Sequence, residues 1–353
     1  PVGWDSDGQW PGVPYYILDG SAFAFSIVKD TPAEVSVRVT SPKDARTGIQ
    51  FERTYHVFAG TTRVTVDQVM KNVSPRRIRW SIWDAVQYDA ADASAPSKPN
   101  PALDMYIPIN AQSKFARGYD VVYGDARNPS YQVGDDGRIL RVHYDYRAGK
   151  VLADSSSGWF AVVNGQKNTG CVETFQFFSA MEYPANASVE AANEGPGTIS
   201  RGPFFQTLPD DPAKTPYFLE AGVLSPVKAL DPDEQYEFTV HWSPTSVTNP
   251  VVDAVWAGVV SRPLSAVVRG SQITLDGVFG VFVPGSLVAN FYSPVGEITG
   301  EQTLQPVDPR RVVRLGKTID LPANSYRVSV FVRDRQGENA GYLGNVIMKT
   351  NGE

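Results

Sequence analysis

Stretches in which apolar and polar residues alternate one for one recur along this chain, and that pattern admits few folds. In Thr62-Arg-Val-Thr-Val-Asp67, Val64 and Val66 alternate with polar neighbours; in Tyr326-Arg-Val-Ser-Val-Phe-Val332, Tyr326, Val328, Val330 and Val332 share one face. A strand sends successive side chains to opposite faces, so such a segment is a ribbon with one apolar side that a second layer must cover. Amphipathic helical stretches of ten or more residues are hard to find. Turn signals separate the ribbons: Ser41-Pro-Lys-Asp44, Asn72-Val-Ser-Pro75, Gly134-Asp-Asp-Gly137 and Asp231-Pro-Asp-Glu234. With 30 glycines and 27 prolines for the many short connections, the expectation is an all-β chain built as antiparallel sandwiches.

Two stretches break the rhythm. Residues 89–104 are rich in Ala, Pro and Ser, and residues 192–216 carry Gly and Pro throughout; both read as long irregular loops of the kind that bind ligands or serve as surface insertions. Residues 243–250, Ser-Pro-Thr-Ser-Val-Thr-Asn-Pro, have linker composition. The expected division is 1–250 and 251–353, the second part an immunoglobulin-like sandwich of about seven short strands.

Composition excludes several functions. The formal net charge is −6, and the densest basic run, Arg76-Arg77-Ile-Arg79, is too short for a nucleic-acid footprint. No apolar run approaches the length of about 18 residues that a membrane helix needs. The single cysteine, Cys171, rules out an intramolecular disulfide and any multi-cysteine zinc site, and His56, His143 and His241 are scattered without metal-ligand spacing. No metal or cofactor is expected. The chain starts Pro-Val-Gly-Trp, which implies processing or a missing upstream part.

The most informative segment is Ile78-Arg-Trp-Ser-Ile-Trp-Asp-Ala-Val-Gln-Tyr-Asp89. As one strand it places Trp80, Ile82, Asp84, Val86 and Tyr88 on the core side, and Ser81, Trp83, Ala85 and Gln87 on the other. An indole, an amide and two small residues suit a sugar: the ring faces pyranose C–H groups and the amide both donates and accepts. Asp84 among the apolar row calls for a capping role or an arginine partner such as Arg79.

Residues 53–88, two strands, an Asn-x-Ser-Pro turn and a strand of the W-x-x-W-D-x-x-Q type, resemble the galactose-mutarotase-like superfamily. Further matches follow in order: Gly3-Trp4 with Trp10-Pro11 and Leu18-Asp19, Thr40 to Gly48, Lys150 to Asp154 with Gly158-Trp159, and Leu219 to Pro226 with Leu230 to Glu234. The resemblance covers roughly residues 1–243 and is most like a branch found beside polysaccharide-processing enzymes. It implies a large antiparallel β-supersandwich that binds carbohydrate, with strands ordinarily preceding the early Trp/Pro segment. The general-acid histidines of sugar mutarotases have no matching motif.

The same resemblance points to Glu220 as the acid or base, since mutarotases carry a catalytic Glu on a late strand before a proline. Phe218, Glu220 and Gly222 share a face, which suits a carboxylate with space above the glycine, and desolvation there would raise its pKa. Glu190 or Glu173 could supply the second carboxylate of a glycosidase pair, and His143 with Tyr144 or Tyr146 has the residue types of a lyase. The expected ligand-binding set is Trp83, Gln87, Glu173 and His143, with Glu220 and Glu190 as the catalytic candidates. The expected function is recognition of a polysaccharide or oligosaccharide. A glycoside hydrolase or lyase, and an extracellular structural or assembly protein, are the alternatives. An extracellular or periplasmic location and possible homo-oligomerisation complete the expectation.

Overall fold

A computed structural model of the chain describes residues 17, 18, 20–201 and 204–348. Gly3-Trp4, Trp10-Pro11 and Asp19 of the early segment lie outside them. The chain divides into two compact units, the first ending at Trp242 and the second running from Ser243 and including residues 58–63 and 163–172.

The first unit is built on two large sheets with one apolar core between them. The larger has ten strands, in the order Ala24–Asp30, Glu34–Thr40, Ile49–Phe58, Val64–Asn72, Gln235–Ser246, Thr169–Phe175, Trp159–Asn164, Leu103–Pro108, Ile139–His143, Tyr131–Val133. The smaller has five, in the order Trp83–Asp89, Phe218–Leu224, Val189–Asn193, Gly149–Ala153, Asp120–Tyr123. Alternation decides what each strand gives to the core. Val66, Met70, Phe160, Leu140 and Val142 come from the larger sheet, and Val151, Val189, Ala191, Leu219, Ala221 and Val223 from the smaller, in one buried cluster. Each large side chain so buried contributes about 1.5–3 kcal/mol. The architecture is the all-β sandwich expected from the alternation.

The Asn72-Val-Ser-Pro75 turn is held by one buried amide. Asn72 Nδ2 donates to the carbonyls of Arg76 (2.8 Å) and Leu230 (3.0 Å), while its Oδ1 accepts from the Ser74 backbone N–H (3.0 Å). The segment after it differs from a single strand. Ile78–Trp80 pairs with Lys228–Leu230 in a small two-stranded sheet, and Trp83–Asp89 pairs separately in the five-stranded one. Ser225 makes the break: its hydroxyl accepts from Ile82 N–H (2.9 Å), its N–H donates to Ile82 C=O (2.9 Å), and its C=O accepts from the Ser81 hydroxyl (2.9 Å). A distant serine thereby satisfies the backbone that a ladder would otherwise use.

Residues 192–216 are not an irregular loop throughout. Gly197–Arg201 and Phe204–Leu208 pair as a hairpin, because β-prone residues lie between the glycines and prolines. Residues 89–104 are largely irregular, tied by an Ala91–Pro99 bridge.

The second unit stacks two four-stranded sheets, Asp253–Val255, Gly258–Arg269, Gln272–Val281, Val313–Asp320 and Ile298–Val307, Gly285–Tyr292, Arg327–Asp334, Asn339–Ile347. Val328, Val330 and Val332 are fully buried in its core, as their alternation requires, while Tyr326 precedes the strand and is exposed.

Candidate functional site

The strands of the five-stranded sheet bring chemistry together on the face away from the core. Along Phe218–Leu224, Leu219, Ala221 and Val223 face inward, so Glu220 and Gly222 face out. Along Val189–Asn193, Val189 and Ala191 face inward, which turns Glu190 and Ala192 outward. Along Trp83–Asp89, Asp84 is buried while Ala85 and Gln87 are exposed. Antiparallel register then aligns the rows: Glu220 lies opposite Gln87 and Ala192, Gly222 opposite Ala85 and Glu190, and Lys150 opposite Ala192 and Tyr123.

Lys150 is the centre of this cluster. Its ammonium lies 2.6 Å from Glu190 Oε1 and 3.9 Å from Glu220 Oε1, and all but 6% of its side chain is buried. The same nitrogen lies 5.3 Å from the centroid of the Trp83 ring, within cation–π range. Glu220 is pulled in opposite directions. Burial raises its pKa, the Lys150 charge lowers it, the Glu190 charge raises it again, and a hydrogen bond from Gln87 lowers it, leaving it above the usual carboxylate value. Glu194 follows Glu190 by four residues; burial and then the charge of Glu220 push its carboxyl up to about 7. Tyr123 is held in its phenol form by burial and by Glu220, Glu194 and Glu190. The face therefore carries a buried cation, an exposed amide and carboxyls of which two hold protons more tightly than in water. Together they offer donors and acceptors at close spacing.

Gly222 does not leave open space, contrary to the expectation from sequence. A Cβ there would lie 2.7 Å from Trp83 Nε1, 3.2 Å from the Asp84 carbonyl oxygen and 3.2 Å from Glu190 Cγ. The glycine is the seat on which the indole lies. Trp83 is half-buried and packs on the Leu152, Ala187 and Leu224 cluster beside Phe115 and Val122. It serves as an apolar wall of the cluster rather than an open platform.

The structure brings Trp83, Gln87, Glu190 and Glu220 together and places the other two candidates elsewhere. Glu173 is fully buried in the sandwich core beside Asp84. Burial, reinforced by the Asp84 charge, drives its pKa far up. Asp84 is itself raised by burial, with Arg53 and a 3.3 Å hydrogen bond from Trp242 Nε1 opposing. Arg79, the partner considered for Asp84, pairs instead with Glu182. His143 belongs to the ten-stranded sheet, where its Nδ1 lies 2.9 Å from Asp104 Oδ1; its core-facing neighbour Val142 shows that the imidazole points away from the core. Tyr144 is buried, its hydroxyl donating to the Glu194 carbonyl (2.9 Å), so no exposed pair of His143 and Tyr144 forms.

Lys150, Glu194 and Tyr123 are the members that sequence reasoning missed. The alternation Glu190-x-Ala192-x-Glu194 holds the signal for Glu194. Lys150 sits among Gly149, Val151 and Leu152, all buried, which reads as an ordinary strand end. Among the described residues no group of three His, Cys, Asp or Glu side chains could hold a metal ion, and no helix is long and apolar enough to cross a membrane.

No known family profile matches the chain, and no curated protein does. Solved structures similar to it include a TPR-domain containing protein from Parabacteroides distasonis (12% identity, 67% of this chain and 37% of that one, TM-score 0.42). A galactose mutarotase-like protein from Clostridium acetobutylicum is similar at 11% identity over 65% of this chain and 68% of that one, TM-score 0.42. A putative aldose 1-epimerase from Escherichia coli is similar at 10% identity over 63% and 69%, TM-score 0.38. Galactose-mutarotase-like structures, the group the sequence motifs resemble, are thus among those similar to the chain. The chain spans 37% of the first of these proteins. At these identities and scores the likeness carries no chemistry over to it.

Proposed function

We propose that the outward face of the five-stranded sheet binds carbohydrate. The observation that supports this is the convergence of Gln87, Lys150, Glu190 and Glu220 beside the Trp83 wall. Sugar hydroxyls both donate and accept, and the Gln87 amide with the Glu220 carboxyl meets both needs, while the buried Lys150–Glu190 pair sets the charge around Glu220 and an aromatic edge covers the C–H side. Gln87 is exposed and Glu220 keeps 18% of its side-chain surface, so a ligand can reach both. The immunoglobulin-like reading of the second unit, and with it a spacer or assembly role, belongs to this proposal.

A glycan array probed with the wild type and with Gln87→Ala and Trp83→Ala tests the reading. Binding by the wild type that weakens about fivefold or more in Gln87→Ala supports it, since a lost hydrogen bond to a ligand is worth about 1 kcal/mol or more. Unchanged binding in both variants removes this face from recognition.

A hydrolytic reading is favoured by one observation, the raised carboxyls of Glu220 and Glu194 on one face. A general acid must hold its proton near neutrality while its partner stays ionised. Release of reducing ends from a polysaccharide panel, abolished in Glu220→Gln, is the outcome that reading requires.

A further inference from the structure

The second unit has a concavity of its own. Where the strand Ile298–Val307 ends and Val313–Asp320 begins lies a groove of about 470 Å³. Pro284, Pro306 and Val312 give it apolar walls, and Arg311 and Arg335 border it. Both strands are edges of their sheets. Side chains already stitch the two edges together: Gln305 Nε2 donates to the Arg314 carbonyl (3.3 Å), and Lys317 Nζ to that of Leu304. A peptide that adds as a strand needs an open main-chain ladder, which these bonds obstruct. A small ligand held by side chains needs none.

The charges around the groove are unequally matched. Among the described residues that line it, Asp308 is the one acid. Arg310, outside the lining, takes both of its oxygens, Nε donating to Oδ1 (3.0 Å) and Nη2 to Oδ2 (2.8 Å). Asp334, beside Arg335 in sequence, is spent on its own turn, where Oδ1 accepts from the Gln336 and Glu338 N–H groups (2.9 and 2.8 Å). Arg311 and Arg335 are exposed, and among the described residues neither guanidinium has a hydrogen-bond or ion-pair partner. Two uncompensated cations thus flank one groove of a chain whose formal net charge is −6. A guanidinium fork fits carboxylate and sulfate oxygens, and apolar walls beside it can cover a C–H body.

We propose that this groove binds an acidic saccharide, with Arg311 and Arg335 on its carboxylate or sulfate oxygens and Pro284, Pro306 and Val312 against its ring C–H groups. The choice of a sugar body rests on the carbohydrate reading of the first unit; the choice of an anion rests on the two arginines. The volume suits a ligand of roughly one or two sugar rings.

The test is calorimetric titration at fixed ionic strength with digalacturonate, a sulfated uronate–glucosamine disaccharide, cellobiose and sodium sulfate. The proteins are the wild type, Arg311→Gln, Arg335→Gln, Arg314→Gln and Gln87→Ala. Arg314 is exposed on the adjoining strand but does not line the groove, so its loss changes the net charge equally without touching the site. At least one acidic disaccharide binds the wild type. Arg311→Gln and Arg335→Gln each weaken it about tenfold, the worth of a hydrogen bond to a charged group. Arg314→Gln and Gln87→Ala leave it within about twofold, and cellobiose does not respond to either groove arginine. Three results overturn the proposal: no binding of either acidic disaccharide, equal weakening by Arg314→Gln, or sodium sulfate binding as tightly as the disaccharides. Weakening by Gln87→Ala with none by the groove arginines also overturns it, and in that case leaves the sheet-face reading standing.

Discussion

Replacing Lys150 with Met removes the ammonium at the centre of a buried cluster of carboxylates and keeps an unbranched side chain one atom shorter. Lys150 and Glu190 are 6% and 7% exposed and 2.6 Å apart, with Glu220 at 3.9 Å. Breaking a buried ion pair by removing one partner costs about 3–5 kcal/mol, because the remaining charge is stranded. Here the stranded groups can escape by taking up protons. The Lys150 charge lowers the pKa of Glu220, and its loss moves that carboxyl further up.

A carboxyl whose folded pKa lies above its unfolded one stabilises the fold below the unfolded value, and that contribution is lost as pH rises through the folded value. The variant therefore loses stability with rising pH more steeply than the wild type. One proton over three pH units amounts to at most about 4 kcal/mol. The expected deficit is thus about 4 kcal/mol at pH 8 and about 1 kcal/mol or less at pH 5. Urea unfolding followed by tryptophan emission reads it, since among the described residues Trp80, Trp83, Trp159 and Trp242 fall in the first unit and Trp256 alone in the second. With a slope of about 2–3 kcal/mol per molar urea, the midpoint shifts by roughly 1.5 M at pH 8. A deficit that is the same at both pH values, or absent at pH 8, refutes the reasoning.

Gly222→Ala drives a methyl into the seat of the indole, 2.7 Å from Trp83 Nε1 and 3.2 Å from the fixed Asp84 carbonyl oxygen. The expected loss is about 1–3 kcal/mol together with a shift in tryptophan emission as Trp83 is displaced; unchanged stability and emission contradict it. Glu173→Gln replaces a carboxyl that burial keeps protonated with a neutral isostere. The wild type loses stability as pH rises above the unfolded value, by up to about 1.4 kcal/mol per unit, whereas the variant is spared this. The two should match near pH 5 and the variant should be the more stable at pH 8, and thermal melts at the two pH values decide it.

Alternation makes one part of this molecule legible from its sequence. It separates Trp83, Ala85 and Gln87 from Asp84, and it puts Glu220 on a face of its own. It fails where a strand is buried on both sides. Val172 and Glu173 are consecutive and both buried, so no period tells which of them faces the partner sheet. It also fails at Ser81 and Ile82, where the strand ends because of Ser225, a residue far along the chain. Cross-strand meetings are equally hidden. Lys150 reaches Glu190 and Glu220 only through register, and register is a property of the assembled sheet rather than of any one segment.

The strand Trp83–Asp89 lies at the edge of its sheet and has different tasks on its two sides. Its even-numbered Asp84 is committed to a buried contact with Trp242 beside Glu173, and its odd-numbered residues Ala85 and Gln87 meet solvent. A slip of one position, as a single inserted or deleted residue between Ile82 and Trp83 would cause, exchanges the rows at a stroke. It would carry Trp83, Ala85 and Gln87 into the core and turn Asp84 outward, away from Trp242 and Glu173. The pull of Asp84 towards the interior therefore works as a ratchet on the outer row. In descendants of this sequence the outward-facing residues are free to change in kind, but the length of chain that presents them is not.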